Sequence, residues 1–185
     1  MEAFLVSTGI VALAEMGDKT QLLSLVLASK FRKPVPIILG IFVSTVVNHG
    51  LAGAVGAWVT HALGPDVLRW VLAASFIGMA AWMLIPDKID EDEAAAKPKY
   101  GVFLTTIIAF FLAEMGDKTQ VATVALAASY ASFYAVVAGT TLGMMLANVP
   151  VVFFGGAIAK KVPLSIVRKV TAFAFAVLGV LALAA

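Results

Sequence analysis

The sequence predicts an all-α integral membrane protein with six transmembrane helices, arranged as two inverted three-helix repeats. Three observations predict it: an apolar composition, six hydrophobic stretches of spanning length, and an eight-residue phrase that occurs once in each half. Hydrophobic residues make up 62% and charged residues 13% of 185 positions. With a mean hydropathy of +1.01, the chain falls outside the range of water-soluble domains.

The stretches run Phe4–Ala28, Val35–His61, Val67–Ile85, Val102–Ala128, Phe133–Ala159 and Pro163–Ala184, each near or above the roughly 20 residues that a helix needs to cross a bilayer. The first is expected to stay in the protein, because Met1-Glu2-Ala3 lacks the basic region of a cleaved signal. Lys30-Phe31-Arg32-Lys33-Pro34 ends it, Gly64-Pro65-Asp66 separates the second from the third, and Lys160-Lys161-Val162-Pro163 precedes the sixth. Trp58, Trp70 and Trp82 fall near expected membrane interfaces. Between the third and fourth stretches, residues 86–100 carry Asp87, Asp90, Glu91, Asp92 and Glu93 among Lys88, Lys97 and Lys99, the composition of a solvated cytoplasmic linker. The expected organisation is a first three-helix repeat over 1–85, this acidic linker, and a second repeat over 101–185.

The halves repeat at an offset of 99 residues, pairing Gly40 with Gly139 and Arg69 with Arg168. Asn48 is matched to Asn148 by a one-residue slip, which sets His49 opposite Val149 and leaves it without an equivalent. Three helices per half is an odd number, so the second half enters the membrane from the opposite side, as in many secondary transporters. Lys30, Arg32, Lys33, Lys88, Lys97, Lys99, Lys160 and Lys161 fall in the first, third and fifth loops, against Arg69 on the other side. The positive-inside rule therefore puts both termini outside the cytoplasm.

The repeated phrase is Ala14-Glu15-Met16-Gly17-Asp18-Lys19-Thr20-Gln21 and Ala113-Glu114-Met115-Gly116-Asp117-Lys118-Thr119-Gln120. Each copy puts charges near mid-membrane, where an unpaired one costs roughly 3 kcal/mol or more. In each, Glu and Asp at i, i+3 are expected to share a helix face, with Lys19 or Lys118 at i+4 from the glutamate to neutralise one carboxylate locally. Glu15, Asp18, Glu114 and Asp117 against Lys19 and Lys118 leave a net charge of −2, which one divalent cation balances. Oxygen ligands without Cys or His in the motif favour Mg²⁺, Ca²⁺ or Mn²⁺. Gly17 and Gly116 give the helix a place to unwind and offer backbone carbonyls. Thr20, Gln21, Thr119, Gln120, Ser44, Thr45, Asn48, Thr140, Thr141 and Asn148 are supporting candidates, read first as interhelical hydrogen-bonding groups and second as ligands. His49 is read first as a structural residue and second as a candidate proton relay. Clustered carboxylates cannot all stay ionised without the metal, so protons and metal compete for the same oxygens.

The doubled Glu-x-Gly-Asp-Lys-Thr motif, one per half around an acidic linker, closely resembles the Gdt-type family of cation/proton exchangers, which includes bacterial manganese exporters and Golgi members of eukaryotes. The resemblance covers almost the whole chain. It implies that Glu15, Asp18, Glu114 and Asp117 form the cation path, that Mn²⁺ is exported for protons with Ca²⁺ handled by some members, and that the metal is cargo with no cofactor needed. It also implies a prokaryotic cytoplasmic-membrane protein whose partners are the ion, protons and the lipid bilayer; the oligomeric state is left open. The basic residues form no patch for nucleic acid.

Two other classes fit parts of the pattern. A net −2 cavity would also hold a cationic organic solute such as a basic amino acid. Two facing aspartates, Asp18 and Asp117, are what an intramembrane aspartyl protease uses, although Glu15-Met16-Gly17-Asp18 is unlike the Gly-x-Gly-Asp phrase of such enzymes and the adjacent glutamates and lysines would disturb a dyad.

Overall fold

The computed structural model describes residues 1–86, 101–130, 132–155 and 163–184. Among them the chain forms eight helices and no strand: α1 (Glu2–Glu15), α2 (Lys19–Phe31), α3 (Pro34–Ala62), α4 (Pro65–Met83), α5 (Gly101–Glu114), α6 (Lys118–Ser129), α7 (Phe133–Phe154) and α8 (Leu164–Ala184). The linker charges Asp87, Lys88, Asp90, Glu91, Asp92, Glu93, Lys97 and Lys99, together with Lys160 and Lys161, lie outside the described residues.

Pro34 and Pro65 open α3 and α4, positions where a missing N–H costs nothing and the fixed φ favours the helix. Four helices, α3, α4, α7 and α8, are long and apolar enough to cross a membrane. The first and fourth hydrophobic stretches are each divided in two, because the motif itself stops the helix. Gly17 and Gly116 adopt φ of +83° and +74°, a left-handed conformation that a residue with a Cβ rarely takes. Each chain then turns through an extended Asp18 or Asp117, the N-cap residue of the helix that follows.

Helices from the two halves interleave. α1 lies along α7, α3 lies along α5 and α6, α4 packs on α8, and α3 touches α7. The contacts repeat at the 99-residue offset. A Cβ on Gly40 would fall 2.7 Å from Thr106 Cβ and 3.0 Å from the Phe103 carbonyl oxygen. A Cβ on Gly139 would fall 3.0 Å from Ser7 Cβ and 2.5 Å from the Phe4 carbonyl oxygen. Close approach of two helix backbones is what small residues permit in membranes. Phe76 of α4 meets Phe175 of α8, its own counterpart, with ring centroids 6.3 Å apart.

Buried apolar residues form two clusters. One is built around Leu72, Phe76, Met79, Leu126 and Phe175, the other around Val11, Leu23, Ile41, Phe110 and Met144. The outside is also apolar, with Leu51, Trp58, Trp70, Phe153, Phe173 and Val180 all exposed. A polar interior motif, many exposed large apolar side chains and four helices long and apolar enough to span define a multi-pass membrane protein.

Candidate cation site

Two helix ends and two helix starts converge between the halves. Glu15 and Glu114 are the last residues of α1 and α5, while Lys19 and Lys118 are the first of α2 and α6. The C-terminal end of a helix carries roughly half a negative charge, so both glutamates sit where the backbone already favours a cation. Asp18 and Asp117 sit at the opposite kind of end, as N-caps.

Glu15 and Glu114 are completely buried and Asp117 nearly so. One carboxylate oxygen from each of these three lies within 4.8 Å of the others. The cluster therefore draws on both halves, as sequence reasoning expects. Asp18 is buried as well but is not one of the three; its Oδ2 accepts from the Thr20 N–H at 3.4 Å. A separate cavity of about 200 Å³ reaches Asp18 and is lined also by Met16, Gly17, Gln21, Lys118 and Arg168.

The threonines and glutamines of the motif repeat their bonds in both halves. Thr20 Oγ1 donates to Glu15 Oε2, and Thr119 Oγ1 to Glu114 Oε2 at 3.2 Å. The side-chain carbonyls of Gln21 and Gln120 accept from the Gly17 and Gly116 N–H groups at 2.9 and 2.8 Å. These bonds hold the unwound turns open. Glu15 Oε1 and Glu114 Oε1 have no hydrogen-bond partner among the described residues, which leaves an acceptor on each glutamate for an ion or a proton.

Three sequence expectations need correction. Glu and Asp within a motif do not share a helix face, because the helix ends between them and the i, i+3 geometry never forms. Lys19 does more than act within its own turn: its Nζ lies 3.4 Å from Asp117 Oδ1 of the other half, and Lys118 Nζ donates to the Ile85 carbonyl at 2.9 Å. The one-residue slip at Asn48 is also wrong. Gln21 Nε2 donates to the Ala147 carbonyl at 3.0 Å, and Gln120 Nε2 donates to Asn48 Oδ1 at 3.3 Å, so Asn48 occupies the place of Ala147. Asn148 Nδ2 lies 3.5 Å from Glu15 Oε2, as His49 Nε2 lies 3.6 Å from Glu114 Oε2. His49 does have an equivalent, then, and it is Asn148.

The remaining candidates divide. Ser44 and Thr45 of α3 and Thr141 of α7 are buried with hydroxyls that lack a partner among the described residues, whereas Thr140 bonds back to the Val137 carbonyl at 3.1 Å. Asn48 Nδ2 donates to the Phe111 carbonyl at 3.3 Å. Ser24, which sequence reasoning passed over, donates to Asn148 Oδ1 at 2.6 Å. Its counterpart at the 99-residue offset is Thr123, and that pairing was the available signal.

An all-helical membrane protein with buried carboxylates gathered from two halves of the chain has the anatomy of a cation transporter. The chain belongs to the family described as divalent cation/proton antiporter GDT1, whose sequence model matches residues 3–91 and 102–185. It is 55% identical to a Vibrio cholerae protein named "Putative manganese exporter", over 95% of this chain and 87% of that protein. It is 24% identical to the rice GDT1-like proteins 3 and 4, over 87% of this chain, with 66% of the indica-type proteins covered. No solved structure matches. The family moves cations and does not do covalent chemistry, so the aspartyl protease alternative falls, and the metal is cargo with no cofactor indicated.

Proposed function

We propose that this chain exports Mn²⁺ from the cytoplasm in exchange for protons, at a mid-membrane site shared by two inverted repeats, with Ca²⁺ as a second cargo. The observation that carries the reading is the convergence of Glu15, Glu114 and Asp117 oxygens within 4.8 Å at buried positions. Glu15 and Glu114 are the exchanging carboxylates, Asp117 the third ligand, and Asp18 the ligand on the approach from its adjoining cavity. Thr20 and Thr119 hold the glutamates, Gln21 and Gln120 hold the turns, and Lys19 and Lys118 balance charge as the ion leaves.

Counting α1–α2 and α5–α6 each as one discontinuous span gives six crossings, three in residues 1–85 and three in 101–185, with 86–100 between them. An odd number per half inverts the second repeat. The repetition of helix contacts and motif bonds at one offset supports this arrangement. Lys30, Arg32 and Lys33 at the end of α2 support a cytoplasmic first loop and external termini, in the cytoplasmic membrane of a prokaryote. Manganese as cargo is supported by the printed name of the Vibrio protein and by the all-oxygen motif, which suits Mn²⁺ and Ca²⁺ alike.

The test is flux into proteoliposomes under an imposed pH gradient, comparing Mn²⁺, Ca²⁺ and Mg²⁺. Mn²⁺ movement coupled to opposite proton movement is expected, with lysine and arginine in excess having no effect. Mn²⁺ flux indifferent to the gradient, or blocked by the amino acids, refutes the proposal.

A further inference from the structure

At the 99-residue offset one position holds different residues in the two halves, Asn148 beside Glu15 and His49 beside Glu114. The asparagine is fully engaged. Its Oδ1 accepts from Ser24 at 2.6 Å and its Nδ2 donates to the Met144 carbonyl at 3.1 Å. The histidine is not, although it is completely buried: neither Nδ1 nor Nε2 has a hydrogen-bond partner among the described residues. Thr123, which stands where Ser24 stands, turns back to the Thr119 carbonyl at 2.8 Å and leaves the imidazole alone. A buried polar group without a partner costs about 1–3 kcal/mol, so packing alone would be better served there by an apolar side chain.

We infer that His49 supplies a nitrogen ligand to the cation gathered by Glu15, Glu114 and Asp117, and that this nitrogen sets the preference of the site for transition-series divalent ions over Ca²⁺ and Mg²⁺. The inference rests on the cation site proposed above. His49 Nε2 and Glu114 Oε2 are 3.6 Å apart, too far for a hydrogen bond. Two ligands of one ion with metal–ligand bonds of about 2.1 Å can stand that far apart, and His49 meets the site from the Glu114 side, since its nitrogens do not lie within 4.8 Å of all three carboxylate oxygens. Ca²⁺ and Mg²⁺ take oxygen ligands, whereas imidazole binds the first-row transition series, most strongly Fe²⁺, Ni²⁺, Cu²⁺ and Zn²⁺ and least strongly Mn²⁺, which is also at home among oxygens. One nitrogen added to an otherwise all-oxygen set therefore separates the two groups of ions. No motif search centred on the repeated phrase finds it, since His49 lies on α3, far from either copy in sequence.

The test uses the full-length protein loaded with Mn²⁺ and examined by electron spin-echo envelope modulation. Wild type should show nitrogen-14 coupling from an imidazole, and His49→Asn, which installs the residue the other half carries, should lose it. In proteoliposomes His49→Asn should lower the ratio of Mn²⁺ to Ca²⁺ flux by at least the roughly 10-fold that follows loss of an outer-shell partner. Bound Mn²⁺ without nitrogen coupling in wild type overturns the inference and leaves the carboxylate site standing, whether or not the variant folds. An unchanged flux ratio in folded His49→Asn overturns it likewise. Wild-type protein that binds no Mn²⁺ at all overturns both this inference and the proposed function.

Discussion

Replacing Glu114 by Gln should stabilise the metal-free protein and abolish its response to metal. Three carboxylate oxygens lie within 4.8 Å of one another. At that separation, with an effective dielectric constant of about 20, each ionised pair repels by about 3.5 kcal/mol. Three pairs make about 10 kcal/mol, and Glu114 takes part in two of them, or about 7. Protons taken up by the empty site relieve much of that repulsion, so the gain from Glu114→Gln is a fraction of it. In a chain of this length 1 kcal/mol moves the melting temperature by about 2–4 °C, and a rise of several degrees in EDTA is expected. Wild type should respond in the opposite sense to metal: Mn²⁺ at a hundred times its Kd contributes about 2.7 kcal/mol, a rise of about 5–10 °C. Melting of detergent-solubilised protein, with EDTA or with Mn²⁺, measures both. If Glu114→Gln melts lower than wild type in EDTA and is still raised by Mn²⁺, the carboxylates form a structural network and the electrostatic reasoning is wrong.

Gly139→Ala would push a Cβ to 2.5 Å from the Phe4 carbonyl oxygen, a backbone atom that cannot step aside, and should cost about 1–3 kcal/mol by overpacking. Gly78→Ala, with nothing among the described residues within 4 Å of its Cβ, should instead be neutral or gain up to about 1 kcal/mol of helix propensity; melting temperatures of the two variants should move apart. Lower pH should weaken Mn²⁺ binding, because protons occupy the same oxygens. Apparent affinity should fall by about tenfold per pH unit for each proton displaced, and titration at several pH values counts those protons.

Much of the site was legible because its signal is categorical. A carboxylate in a hydrophobic stretch has few bland explanations, and two copies of the phrase leave fewer. Oxygens of Glu15, Glu114 and Asp117 do converge from the two halves, whereas the threonines bond to the glutamate of their own motif and the glutamines to the Gly17 and Gly116 N–H groups. What sequence missed follows from one fact, that the motif is not helical. Helical spacing gave Glu15 and Asp18 a common face and gave Lys19 a partner one turn away, whereas the left-handed Gly17 redirects the chain before either relation forms. Lys19 then reaches Asp117, a residue 98 positions away, and no periodicity points there. The slip at Asn48 has a different origin. Residue identity matches asparagine to asparagine, whereas the constant offset and the geometry match Asn148 to His49.

That constant offset gives the differences between the halves their meaning. In the proposed inverted-repeat arrangement, two halves of one sequence could exchange conformations and turn an inward-open protein into an outward-open one of equal energy, by symmetry alone. Departures from the repeat would then tip that balance. Leu164 lies against Gly17, where a Cβ would meet it at 2.6 Å, yet among the described residues nothing stands within 4 Å of a Cβ on Gly116. Asn148 is pinned by Ser24, and His49 is not pinned by Thr123. In the proposed exchanger, the residues common to both halves would supply the charge that draws a cation in, and the residues that differ would decide which side is favoured and which ion is held.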